Sequence, residues 1–213
     1  MANHVQYYMM GKANLYDLIH FVIKENHAHH QEVLNSQDLD SVIQPLFCEE
    51  RKYSDPHIFC AMSGKVLCGS IRIFKKTPDL TLPLEDLFRI DVESVAGKGM
   101  PIYHIGRFAV SKGADVLGFR IFKTLISLAL SVADRDEGGV VFAECDVKLL
   151  RTIRLLGIEA ESIGEPILYL GSETVPVMLP WAGYQHFLKK YSNLPGYKVP
   201  FLGNAFSDMN LSP

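Results

Sequence analysis

The sequence predicts an α/β fold of the mixed α+β type, in which a central mixed sheet carries helices on both faces. Three observations predict it. Two apolar, β-rich runs form a hairpin pattern over residues 57–74. An apolar strand over Ile102–Val110 is followed by a long apolar helix, a second strand and a second helix. Two more short strands follow, so strands and helices alternate along the second half of the chain.

Composition favours one domain and excludes several classes of protein. The chain has 213 residues, 48% of them hydrophobic, which is enough for one sizeable core. A net charge of −3 with acids and bases mixed gives no nucleic-acid footprint. No apolar run of about 18 residues exists, so no membrane span is expected. The N-terminus lacks a signal-peptide pattern, and the four cysteines show no CxxC spacing, so we expect a cytoplasmic protein with reduced thiols.

In the first half of the chain, the apolar pattern changes from helical spacing to β-rich runs. Five aliphatic residues within 15–28 fall on one face of a helix. The dipeptide Ser63-Gly64 is a turn signal between two β-rich runs. A connection as long as 75–100 is usually functional or carries a short helix. The expected elements are a strand at 3–10, helices at 15–28 and near 42–46, and strands at 57–62 and 65–74.

In the second half, Asp146 is expected to cap a helix that Gly157 closes. We expect one domain over residues 1–180, and residues 181–213 as a helix and tail that pack on this domain or extend from it. The expected elements are strands at 102–110, 140–144, 167–170 and 174–178, and helices at about 116–133, 147–156 and 181–191.

Two polar residues, His104 and Arg107, interrupt the apolar strand Ile102–Val110. An arginine in a core strand is costly unless it is paired. Arg107 is therefore expected either to meet a carboxylate in the core or to point into a cleft. Gly106 lies between the two residues and is consistent with a bulge, since glycine inside a strand often marks one.

Four segments stand out in order along the chain: Gly69–Ile73, Thr81–Phe88, Gly106–Lys112, and Arg154–Ile158 together with Ile163–Gly171. Over roughly residues 50–180 they resemble the GNAT N-acyltransferase fold. The resemblance is to the branch that holds acyl-homoserine lactone synthases, N-acyl amino acid synthases and exosortase-associated acyltransferases. It implies a GNAT-like mixed sheet and an acyltransferase that moves an acyl group from a thioester to an amine.

The chain departs from the pattern of this branch at several positions. His104 stands where the branch usually has a glutamate, and Gly106 where it has a serine. Asp55 is the nearest match to a pair of aspartates ahead of the hairpin. Lactone synthases carry an arginine and a tryptophan near their N-terminal helices, whereas here the first arginine is Arg51 and the only tryptophan is Trp181. The departures favour N-acylation of another amine over lactone synthesis.

Acyl transfer to an amine needs a base, stabilisation of the carbonyl oxygen and a donor held close to the amine. His104 is a candidate general base, because histidine titrates near neutral pH; the alternative is a core histidine with both nitrogens satisfied. Glu144 is a candidate second base or the partner that fixes Arg107. In the GNAT fold a backbone N–H at a bulge in the central strand stabilises the oxygen, so this group leaves no side-chain signature.

Arg107 and Arg72 would lie on neighbouring strands and are candidates for binding a substrate carboxylate, which a guanidinium fork suits. Asp55 is assigned to the same substrate site. The alternative for Arg107 is a structural salt bridge to Glu144 or Asp55.

The acyl donor is expected to contact Phe108, Val110, Lys112 and Gly113, along an apolar channel beside the 116–133 helix. The loop over Ser111–Ala114 precedes a helix N-terminus, which is a natural anion site. It lacks the glycine spacing of acetyl-CoA enzymes of this fold, so acyl carrier protein (ACP) is expected as donor and partner, with acyl-CoA as the other possibility.

A basic stripe on the 147–156 helix would suit the acidic carrier, although a solvated helix face is the alternative. It consists of Lys148, Arg151 and Arg154. No tightly bound cofactor is expected, and no metal, since the histidines at 27, 29 and 30 lack ligand partners at a recognised spacing. The competing functions are an acetyl-CoA-dependent acetyltransferase and a non-catalytic ligand-binding or regulatory protein of the same fold.

Overall fold

The computed structural model describes residues 5–30, 36–114, 119–135, 138–169 and 171–202, and side chains within 27–30 and 36–40 are left out of the description. It is a mixed α/β fold with a large mixed sheet and helices, as expected. None of the helices in the described ranges is long and apolar enough to cross a membrane. The helices are α1 (Leu15–His30), α2 (Ser36–Glu50), α3 (Pro83–Phe88), α4 (Val92–Ala96), α5 (Arg120–Arg135), α6 (Val147–Leu155) and α7 (Trp181–Lys190). The strands are β1 (Val5–Met10), β2 (His57–Ser63), β3 (Val66–Lys75), β4 (Ile102–Val110), β5 (Val140–Asp146), β6 (Glu161–Ser162), β7 (Ile167–Tyr169), β8 (Ser172–Leu179) and β9 (Phe201–Leu202).

The chain divides into two compact units, and β3 and β4 contribute residues to both. Unit 1 contains the described residues of 1–72, 107–126 and 198–213. Unit 2 contains those of 73–106 and 127–197. Helix α7 therefore belongs to unit 2, together with strands β5 to β8.

In unit 1 the strands lie in the order β3-β2-β1-β9. Strand β1 pairs antiparallel with β2 and parallel with β9, so strand direction is mixed. The aliphatic face of α1 explains why this helix forms where the spacing predicts it. Its residues Leu18 and Val22 are buried in one cluster with Ile58 of β2 and Ala109 of β4.

In unit 2 the strands lie in the order β6-β8-β5-β4, and β7 also pairs with β8. Strand β5 is parallel to β4, where Ile102–Ile105 face Val140–Ala143. It is antiparallel to β8 over Val141–Asp146. Pairing with β8 thus continues beyond the stretch of β5 that faces β4.

Strand β4 has an irregular backbone at Arg107, whose φ is 53°. Left-handed φ values are uncommon for residues other than glycine and are genuine outliers for bulky ones. The hydroxyl of Ser70 on β3 donates a hydrogen bond of 2.9 Å to the carbonyl oxygen of Arg107, which helps to hold this conformation. The irregularity that Gly106 suggested therefore falls one residue later.

Most elements agree with the sequence expectations, and the differences have physical causes. Helix α2 is longer than the short helix expected near 42–46, because it extends at both ends, from Ser36 to Glu50. Two strands of two residues each, β6 and β9, are too short to give a periodic signal. The expected helix start at 116 lies outside the described residues, and α5 is described from Arg120.

Candidate active site

The arginine cluster consists of Arg72, Arg107, Glu49, Glu50 and Tyr53, all in unit 1. Its centre is the carboxylate of Glu50, the last residue of α2. One oxygen of that carboxylate, Oε1, accepts hydrogen bonds from Nη1 of Arg72 and, at 2.7 Å, from Nε of Arg107. Arg72 and Glu50 are 1% and 0% exposed, whereas Arg107 keeps 15% of its side chain exposed. Of the two guanidinium groups, that of Arg107 is therefore the one that a solute can reach.

Glu49 and Tyr53 complete the cluster at its more exposed edge. Glu49 accepts a hydrogen bond of 3.4 Å from Nη2 of Arg107 and one of 2.8 Å from the hydroxyl of Tyr53. The guanidinium of Arg72 lies over the Tyr53 ring, 4.6 Å from its centroid, which is a cation–π contact. Burial raises the pKa of Tyr53, so its hydroxyl remains a neutral donor.

The charges in the cluster balance, with two arginines against two glutamates. Burial alone would lower the pKa of Arg107, but the charges of Glu50 and Glu49 outweigh it and the pKa is raised. Arg107 therefore stays charged. A carboxylate bound to it would compete with Glu49 at the more exposed edge of the cluster.

The carboxylates expected to pair with Arg107, Glu144 or Asp55, were the wrong ones. Asp55 lies exposed in the bend between α2 and β2. Glu144 contacts His104 instead. The partners that the structure provides, Glu49 and Glu50, were missed, and the only signal in the sequence was an acidic pair at the end of an amphipathic helix.

The second polar group is a pair in unit 2, His104 of β4 and Glu144 of β5. Nε2 of His104 lies 3.0 and 3.1 Å from the two carboxylate oxygens of Glu144. The register explains the contact. His104 faces Phe142, and Glu144 lies two residues further along, on the same face of β5.

The pair is buried, but not equally. His104 is 1% exposed and Glu144 15%. The ring of Phe74 covers the imidazole at a centroid distance of 5.2 Å. A carboxylate beside a histidine orients the ring and stabilises the positive charge that it gains with a proton. The pair is therefore a candidate acid–base group that lies away from bulk water.

The residues predicted for the acyl donor lie on β4 and in the turn after it. Phe108 packs edge-on against Phe122 of α5, with 4.8 Å between ring centroids. Val110 is half-buried, and Lys112 and Gly113 are exposed. The assignment of these four residues to the acyl donor stays a prediction.

The basic stripe on α6 is divided by the structure. Lys148 and Arg151 are exposed. The guanidinium of Arg154 donates two hydrogen bonds, from Nε at 2.9 Å and Nη2 at 2.7 Å, to the carbonyl oxygen of Ala160. Arg154 therefore fixes the chain that follows α6. A cavity of about 320 Å³ lies on this surface, lined by Val147, Leu150, Arg151, Arg154 and Leu155.

No group of three or more His, Cys, Asp or Glu side chains within the described ranges is arranged to hold a metal ion. The histidines at 27, 29 and 30 have side chains outside the described part of the chain.

The fold is that of known acyltransferases. FeeM, an N-acyl amino acid synthase from uncultured soil microbes, superposes with a TM-score of 0.66 at 15% identity, over 88% of this chain and 97% of that chain. BjaI, a CoA-dependent acyl-homoserine lactone synthase solved with SAM and isopentyl-CoA, gives 0.58 at 15% identity, over 98% and 100%. A GNAT-family protein from Desulfovibrio desulfuricans gives 0.54 at 15% identity, over 83% and 99%. The class of fold is thus GNAT-like, as the sequence resemblance implied.

The family follows from the sequence itself. The model of the N-acyl amino acid synthase FeeM family matches residues 44–180, more than half of the chain. The chain belongs to this family, and the protein is an N-acyltransferase. A comparison with curated proteins gave no match.

Proposed function

We propose that the protein transfers a fatty acyl group from an acyl carrier protein thioester to the amine of an amino acid or a similar small metabolite. The observation that carries the proposal is the buried His104–Glu144 pair, with 3.0 Å between ring nitrogen and carboxylate. Membership of a family of N-acyl amino acid synthases supports the same reaction type. The pair supplies a base for the amine, which reacts only in its neutral form.

The chemical step can be written around His104. Nδ1 of the ring accepts the proton that the amine loses as its nitrogen attacks the thioester carbonyl carbon, because Nε2 directs its own hydrogen to the carboxylate of Glu144. The new C–N bond forms, the C–S bond breaks, and the proton passes from the imidazole to the departing thiolate. Glu144 stabilises the imidazolium between these events and keeps the ring in place.

The carbonyl oxygen gains negative charge during the attack and needs a hydrogen-bond donor. We assign this role to a backbone N–H in the irregular part of β4. The left-handed φ of 53° at Arg107 supports this, because it turns the peptide groups on either side away from the regular strand pattern.

For the acceptor, we assign Arg107 to the substrate carboxylate. Its partial exposure and its weak 3.4 Å contact with Glu49 support this role. Arg72 is fully buried, so it acts through Glu50 as a positioning residue rather than by touching the substrate. The assignment of Asp55 to the substrate site stays a prediction.

For the donor, the surface of α6 supports docking of an acidic carrier. Lys148 and Arg151 offer two exposed cations beside an apolar cavity. Val147 and Leu155 are exposed there. Carrier proteins are acidic, and complementary charge accelerates association and favours one partner over others.

The direct test supplies the wild-type protein with long-chain acyl carrier protein, the same acyl groups on CoA, and acetyl-CoA, each with a panel of amino acids. We expect N-acyl amino acids by mass spectrometry with the long-chain carrier. Product from acetyl-CoA alone would instead identify a short-chain acetyltransferase, and no product with any donor and amine would reject the proposal.

Carrier docking has a separate test. Reversing the charges in Lys148→Glu/Arg151→Glu should raise KM for the acyl carrier about tenfold, as expected for loss of charge complementarity, and leave KM for acyl-pantetheine unchanged. Lys189→Glu/Lys190→Glu, at the exposed end of α7, is the matched control. An equal effect in the control would reject α6 as the docking surface.

A further inference from the structure

A carboxylate from α1 already occupies the turn that follows β4. Oε1 of Glu25 accepts a hydrogen bond of 2.9 Å from the hydroxyl of Ser111. Oε2 accepts one of 3.2 Å from the backbone N–H of Lys112. The contact joins residues 86 and 87 positions apart in the sequence, so it is a product of the tertiary fold.

The packing of α1 explains why Glu25 reaches this turn. Phe21 and Val22 lie one helical turn earlier and are buried in the same cluster as Ala109 of β4. Ser111 follows Ala109 by two residues. Positions three and four apart share a helix face, so Glu25 extends the apolar face of α1 past the end of β4.

The two donors that hold Glu25 are of the kind that bind phosphate. A hydroxyl and a backbone N–H, each directed at a different oxygen of one anion, suit a phosphate group as well as a carboxylate. Lys112 and Gly113 are exposed, and the space beside the Gly113 backbone is open. An anionic group that approached this turn would meet the negative charge of Glu25 and would have to displace it.

We propose that Glu25 determines the specificity for the acyl donor by keeping phosphate charge away from the turn Ser111–Ala114. The inference rests on the proposed function, in that the donor is a pantetheine thioester. CoA carries a diphosphate and a further phosphate, whereas carrier-bound pantetheine carries one phosphodiester. The penalty that Glu25 imposes grows with this charge, so the residue favours the carrier over CoA.

The test compares Glu25→Gln with the wild type, using one acyl chain attached to CoA and to pantetheine, which has no phosphate. Glutamine keeps the size of the side chain and one acceptor oxygen but removes the charge. The ratio of kcat/KM for acyl-CoA to that for acyl-pantetheine should rise about fivefold to tenfold, as expected for one like charge a few ångströms away in a solvated setting.

The matched control is Asp17→Asn, which removes one carboxylate charge from the first turn of the same helix. Asp17 lies about two turns, or roughly 12 Å, before Glu25 along the helix axis. This separation exceeds the Debye length at physiological salt, so the control should leave the ratio unchanged. An unchanged ratio in Glu25→Gln, or an equal rise in both variants, overturns the proposal.

Calorimetry with free CoA and free pantetheine separates this proposal from the proposed function, because it needs no turnover. Glu25→Gln should bind CoA about fivefold to tenfold more tightly than the wild type, bind pantetheine equally, and lose the difference at high salt. If no donor is turned over but CoA affinity rises, the reaction is wrong and the role of Glu25 stands. Equal CoA affinity in the two proteins, or no binding by either at millimolar concentration, overturns the role of Glu25.

Thermal unfolding of Glu25→Gln and Asp17→Asn checks that the fold is kept. Glu25→Ala serves as a second variant, and it too should bind CoA more tightly than the wild type.

Discussion

The arginine cluster and the His104–Glu144 pair both depend on β4, through residues three positions apart, yet they are built in opposite ways. The cluster combines two guanidiniums with two carboxylates that they contact. The pair combines one carboxylate with an imidazole ring. Groups with fixed charge are suited to binding, and a group that titrates is suited to proton transfer.

The backbone of β4 also differs between the two groups. His104 lies in the regular part of β4, where parallel pairing with β5 sets its distance from Glu144. Arg107 lies where the strand leaves regular geometry, with a left-handed φ. The regular part of β4 therefore positions the candidate base, and the irregular part of the same strand directs the guanidinium of Arg107 toward the end of α2.

The largest effect is expected from Glu50→Gln, which leaves the fully buried Arg72 and the partly exposed Arg107 without their shared carboxylate. Removing one partner of a buried ion pair costs about 3–5 kcal/mol, so the free energy of unfolding in urea should fall by that amount. Glu49→Gln is the matched control on the next residue. Its pair with Arg107 is long and its side chain 28% exposed, so its cost should stay below about 1 kcal/mol. Equal losses would mean that the cluster has no buried centre.

A second substitution, His104→Gln, addresses the pair. Glutamine can still contact Glu144 but cannot take up a proton near neutral pH, so kcat should fall about a hundredfold or more. The measurement is kcat across pH with acyl-pantetheine and a fixed amine, alongside the free energy of unfolding. A kcat within about threefold of the wild type would show that His104 is a core histidine and not the base.

Arg107→Lys tests whether the cluster binds the acceptor. Lysine keeps the charge but loses the fork, so KM for an amino acid should rise about tenfold with a smaller change in kcat. The matching amine without a carboxylate serves as control substrate, and its KM should not change. If both KM values rise together, Arg107 maintains structure rather than substrate contact.

The smallest effect is expected from Tyr53→Phe. This substitution removes the hydroxyl that donates a hydrogen bond to Glu49, and it keeps the ring that contacts Arg72. Loss of one hydrogen bond to a charged group should lower the free energy of unfolding by about 1 kcal/mol. In a Glu49→Gln background the same substitution should cost less, which a double-mutant cycle measures. An unchanged cost there would show that the hydroxyl does not act through Glu49.

The sequence predicted the strands and helices that carry the two groups, and it missed their partners for a physical reason. Periodicity revealed β4, and polar residue types within an apolar strand singled out His104 and Arg107. Glu50 lies 57 residues from Arg107, and no local pattern reports a contact over that distance. The contact of Glu25 with the turn after β4 was missed for the same reason of distance.

The left-handed backbone at Arg107 has a consequence for how this position would tolerate change. In a library holding all residues at position 107, a selection for folded protein should enrich glycine and asparagine, which adopt left-handed φ most easily. A selection for product should enrich arginine instead. The two enrichment profiles would diverge at this position more than at regular positions of β4, and the divergence measures what the side chain contributes beyond the backbone that carries it.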